Sequence, residues 1–148
     1  MTKQSLYAPD VYRRTLARLD ALAPETAPRW GTMNAAQMMA HCAETIEVAN
    51  GNPLENTPFL ARLFKGMIRR MVVGERPYPR RTRTHPQYRQ SSDRDFETEK
   101  RRLRDALARF KETEEEPIPH PLFGAMTVEE KGWAMLKHLD HHLTQFGV

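Results

Sequence analysis

Two histidines near the C-terminal end of the chain, His138 and His142 in KHLDHHLTQF, stand four residues apart. On a helix that spacing puts both imidazoles on one face about one turn apart. Neutral imidazole is a ligand for zinc, nickel, copper or iron, so such a pair needs only one or two further donors. Projection at about 100° per residue separates the histidines of this segment. Leu136, Leu139, Leu143 and Phe146 form the apolar stripe. His142 falls at its shoulder, roughly 70° from the centre, and His138 about 110° from it. His141 projects nearly opposite and, like Asp140, reads as solvated.

An earlier segment repeats the pattern. Met38, Cys42, Ile46 and Ala49 mark its core side, and His41 sits about 105° from their centre. Three shoulder histidines on two helices can converge on one cavity, which makes His41, His138 and His142 the candidate metal ligands. Three neutral imidazoles leave a divalent ion dipositive and with open positions, able to acidify a bound water or take a thiolate. Cys42 turns about 100° away from His41 and reads as a small buried hydrophobe. Glu44, one turn from His41, is a candidate general base, although its projection leans towards solvent. Gln145 is placed to orient a ligand or a water, or to cap the helix end.

These donors need helices to hold them, and five segments carry helical periodicity while none shows sustained strand alternation. The first is predicted from about Asp10 to Leu22, stopped by Pro24. The second follows Asn34, which has capping-box spacing to Gln37, and ends at Asn50-Gly51. The third runs from about Phe59 to Val73 and stops at Gly74, followed by the irregular, basic RPYPRRTRTHPQYRQ. The fourth spans about Asp93 to Lys111, with Phe96, Leu103, Leu107 and Phe110 on one stripe. The last begins at Thr127, whose partner Glu130 completes a second capping box. Helices without a sheet predict an all-α, single-domain bundle over residues 1–148. The fourth and last helices are expected side by side and antiparallel, with the third as a crossover element on the side or end of a four-helix core.

Composition narrows the function classes. A net charge of +4 in 148 residues is mildly basic, which is compatible with nucleic acid, anionic lipid or acidic substrates and selects none of them. A lone cysteine, Cys42, excludes an internal disulfide and a cysteine-rich zinc site. No apolar run approaches the roughly 20 residues that span a bilayer. The first residues lack the apolar region and cleavage site of a signal peptide, so a cytoplasmic location is expected.

RWGTMNAAQMMAHCAETIE (29–47) and HPLFGAMTVEEKGWAMLKHLDHHLTQFG (120–147) resemble the DinB-like superfamily of bacterial metalloproteins, and within it a subfamily of unknown function. In that superfamily a histidine of the second helix joins a His-x-x-x-His pair of the last, with glutamine often three residues beyond. Here the pattern falls on His41, His138, His142 and Gln145. The resemblance implies a four-helix bundle with a long crossover, frequent homodimers, and nickel or zinc as the metal. It also implies a metal-dependent hydrolase or a thiol-dependent transferase or isomerase acting on a small molecule.

The crossover helix is amphipathic, with Leu60, Leu63, Phe64, Met67, Ile68 and Met71 on one side and Arg62, Lys65 and Arg69 on the other. The plain expectation is a helix docked on the core with a solvated basic face, and next a dimer contact. The rival to a metalloenzyme is a non-enzymatic bundle whose basic crossover meets an anionic membrane or a nucleic-acid backbone. The absence of a helix-turn-helix, zinc-finger or aromatic-interleaved sheet signature argues against nucleic acid, and Tyr78 and Tyr88 are too sparse for a stacking platform.

Overall fold

The computed structural model describes residues 3–148, and these are all-helical, with one isolated bridge between His120 and Gly124. The elements are α1 (Pro9–Asp20), α2 (Ala35–Ala49), α3 (Phe59–Leu63), α4 (Lys65–Val73), α5 (Phe96–Glu112) and α6 (Val128–Gln145), with 3₁₀ turns at Pro86–Tyr88 and Thr113–Glu115. Both capping boxes form. Asn34 accepts from the Gln37 amide while Gln37 returns the bond, each at 2.9 Å, and Thr127 and Glu130 do the same at 3.1 Å. The helix expected from about Asp93 begins at Phe96, where Asp95 caps α5 by accepting from the Thr98 amide at 2.8 Å. The expected third helix is divided at Phe64, two residues before Gly66, whose helix propensity is poor.

Helix directions follow from their cross-links. Along α2, Gln37 reaches the Ser92 carbonyl, Glu44 and Glu47 meet Arg102, and Asn50 reaches the Ala106 carbonyl. Residue numbers rise together, so α2 and α5 are parallel, and the long crossover is the chain returning along the bundle. α1 and α6 are likewise parallel, linked from Leu6 to Gly132 at one end and from Arg18 to Asp140 and Val148 at the other. Leu19, Met38, Ile46, Leu103, Leu107, Phe110 and Leu139 fill the centre. Tyr7 stacks on Phe110 with centroids 4.5 Å apart.

Two expectations change. α5 lies closest to α2 rather than beside α6. The proline-containing linker after α5 carries the chain across the end of α2, where Ile118 and His120 lie near Ala49 and Met135, before α6 begins. The crossover helix is also docked only at its C-terminal end. There Lys137 of α6, itself buried, donates to the carbonyls of Met71 (2.6 Å) and Gly74 (2.8 Å), a cation at the negative end of α4. The Trp133 indole N–H and the Arg69–Glu130 ion pair add to the attachment. Phe59, Leu60, Leu63, Phe64 and Met67 remain exposed, because no other part of the bundle among the described residues covers them. No helix among the described residues is long and apolar enough to cross a membrane.

His120 gives the fold a measurable acid dependence. Its Nδ1 accepts from the amides of Leu122 and Phe123, and burial lowers its pKa to about 4. The unfolded chain binds this proton near pH 6.5 and the folded chain does not, so stability is full above that pH and falls as pH drops towards about 4. The share of this one group is at most about 3 kcal/mol. Urea unfolding across that window should show His120→Asn losing less stability than the parent. Equal slopes for the two proteins would contradict the assignment.

Candidate metal centre

Imidazoles from α2 and α6 meet in the bundle interior. His41, His138 and His142 each offer a nitrogen, and these nitrogens lie within 4.8 Å of one another. Ring centroids form a nearly equilateral triangle, 4.9 Å from His41 to His138, 4.7 Å from His41 to His142 and 4.8 Å between the two on α6. The Nε2 atoms of His41 and His138 are 3.0 Å apart.

The outer nitrogens decide the protonation. His41 Nδ1 lies 2.8 Å from the Tyr88 carbonyl, which can only accept, so Nδ1 carries the proton and Nε2 presents a lone pair inward. The Gln145 amide is oriented in the same way, since its Nε2 donates to the Trp30 carbonyl at 2.7 Å. Its Oε1 therefore accepts from His142 Nδ1 at 2.8 Å, which leaves the second Nε2 lone pair inward. Burial comes first among the causes that lower all three pKa values, helped in each case by neighbouring histidines, and His142 falls to about 3. The rings are neutral at pH 7.

His138 supplies the test of fit. Its Nδ1 is buried with no hydrogen-bond partner among the described residues. If the ring proton sits on Nε2, it serves His41 and leaves Nδ1 a buried, unpaired acceptor. If the proton sits on Nδ1, that N–H is unpaired and two lone pairs face each other at 3.0 Å. Neither tautomer satisfies every nitrogen, whereas a cation among three inward lone pairs removes the lone-pair conflict. The donor set fits a divalent ion.

The positions around the centre revise several readings. His141 does not face water. It is half-buried against Trp30 and Tyr78, with centroids 5.8 Å from each, because the chain after α4 covers that side of α6. Its ring centroid lies 5.0 Å from that of His142, but its nitrogens are not among those that converge. Asp140 is paired with Arg18 at 2.7 Å. Cys42 is fully buried with its thiol on Met38 sulfur, and burial raises its pKa. Both carboxylate oxygens of Glu44 are engaged, one by Arg102 at 2.6 Å and one by the Gln87 amide at 2.9 Å. Gln87 also donates to the Pro53 carbonyl and accepts from the Glu55 amide, and its neighbour in the same turn is Tyr88. Glu44 and Arg102 thus hold the turn that delivers the Tyr88 carbonyl to His41.

Sequence reasoning missed Tyr88, Gln87, Trp30 and Tyr78. The first and third act through backbone carbonyls, which leave no residue-type signature. Beside the centre, Trp30, Tyr78, Arg80, Trp133, Lys137 and His141 line most of a cleft of about 210 Å³. Tyr78 bridges cleft and centre, its ring 6.5 Å from that of His138.

Gln145 is braced closely. A Cβ on Gly31 would lie 2.6 Å from its Nε2, and Gly31 has φ +84°, a conformation that side chains strain. Gln145→Leu strands the His142 N–H and the Trp30 carbonyl, and should cost about 1–3 kcal/mol of unfolding free energy in urea. Gly31→Ala should destabilise in the same direction by displacing that amide. Neutral behaviour of both variants would show that the Trp30–Gln145–His142 chain does not constrain the fold.

No curated protein and no solved structure matches the chain. A family described as "Protein of unknown function (DUF1569)" matches residues 2–147, and the chain belongs to that family.

Proposed function

We propose that this protein is a DinB-like metalloprotein in which His41, His138 and His142 hold one divalent ion, nickel or zinc. The carrying observation is the convergence of three buried, neutral imidazoles whose nitrogens lie within 4.8 Å, two of them locked with Nε2 inward. The donor set is all nitrogen, which suits borderline ions better than magnesium or calcium. Such an ion, when bound, acts as a Lewis acid on a substrate oxygen or thiolate, the chemistry of a metal-dependent hydrolase or a thiol-dependent transferase or isomerase.

The chain's own residues divide the remaining work. The Tyr88 carbonyl and the Gln145 amide keep His41 and His142 deprotonated on their inward nitrogens. Glu44 holds Gln87 and is assigned to positioning. The neighbouring cleft, with its aromatic walls and Arg80, is assigned to binding a small-molecule substrate, with Tyr78 where cleft and centre adjoin.

Untagged protein analysed for elemental content should carry close to one equivalent of nickel or zinc per chain, lost in His41→Ala and His138→Ala. Gln145→Leu should retain the ion with roughly 10- to 100-fold lower affinity. Acid should release it, because a protonated imidazole has no lone pair to give. Metal-free protein whose melting temperature is unmoved by added nickel and zinc would sink the proposal.

A further inference from the structure

The crossover presents a surface that the histidine centre does not use. Six large apolar side chains are exposed among the described residues, and five of them, Phe59, Leu60, Leu63, Phe64 and Met67, lie on α3 and the start of α4. Exposures from 48% at Phe64 to 75% at Phe59 are too large for loosely packed core. Positions 59, 60, 63, 64 and 67 repeat at helical spacing and form one stripe. A contiguous apolar patch of this kind marks an interaction site.

Charge indicates the partner. Residues 56–92 contain nine of the 23 basic residues of the chain and one of its 19 acids, Glu75. This quarter of the molecule carries +8 and the remainder −4, although the net charge is only +4. Arg62, Lys65 and Arg70 are exposed within the same two helices. Of the basic residues in this stretch only Arg69 forms an ion pair among the described residues, with Glu130.

A two-fold dimer through the stripe would press two uncompensated basic helices together. Nucleic acid would engage the arginines and leave the apolar stripe in water. An anionic bilayer answers both features, since lipid phosphates take the basic heads while the stripe enters the boundary between headgroups and acyl chains. We propose that α3 and the start of α4 form a membrane-docking element that seats the protein on an anionic lipid surface. The attachment of α4 to α6 through Lys137 and Glu130 holds the bundle behind that element.

The full chain should sediment with phosphatidylcholine vesicles containing phosphatidylglycerol at about 0.05 M salt, and not with phosphatidylcholine alone. Salt at about 0.5 M should release most of it. Leu63→Glu, at an exposed position, should lower the bound fraction about tenfold or more with the helical circular dichroism unchanged. Phe59→Trp should add emission that shifts to the blue on anionic vesicles, which reports burial of the stripe. Three results would overturn the proposal: no sedimentation with anionic vesicles, binding that Leu63→Glu leaves intact, or a solution dimer by light scattering that Leu63→Glu converts to monomer. None of these readouts depends on bound metal.

Discussion

An imidazole ring carries two nitrogens, and both need a partner once the ring is taken out of water. Three such rings lie in the interior between α2 and α6, and burial keeps them uncharged. Much of the surrounding structure serves to occupy the outer nitrogens and aim the inner ones. The Tyr88 carbonyl must reach His41, so the turn at Pro86–Tyr88 must be held in place. Gln87, Glu44 and Arg102 hold it, and Arg102 also joins Glu47 of α2, so α2–α5 packing and ligand orientation share one network. On the other helix, Gln145 reaches the Trp30 carbonyl across a turn that depends on Gly31.

Helix direction explains why the crossover has this task. Parallel α2 and α5 require the chain between them to travel back along the bundle, and its path lies over the face of α6 that bears His138 and His141. A segment that connects two helices therefore also covers the centre and lines the neighbouring cleft. The anchorage of its two helices, α3 and α4, is polar and lies at one end, where α4 carbonyls meet Lys137 and Gly74 meets Trp133. The opposite end, α3, gains no such cover, so the basic and apolar character of the crossover is displayed at the surface.

Much was determined by the sequence alone, and for local reasons. Capping boxes at Asn34–Gln37 and Thr127–Glu130, the stripes of α5 and α6, and the four-residue step from His138 to His142 involve neighbours within one or two turns, so residue type and spacing suffice to predict them. The third histidine was legible because its shoulder position repeats on α2. What projection cannot see is the neighbour that arrives from elsewhere in the chain. His141 is turned away from the apolar stripe and is nevertheless half-buried, because Trp30 and Tyr78 come from other segments. Glu44 leans outward from its own helix and meets Arg102, 58 residues on. The amphipathic stripe of 59–67 has the same periodicity as a buried one, and only the path of the bundle left it uncovered. Periodicity states which side of a helix is apolar. The tertiary structure alone decided what lies opposite, because hydrogen bonding and desolvation depend on distance in space and not along the chain.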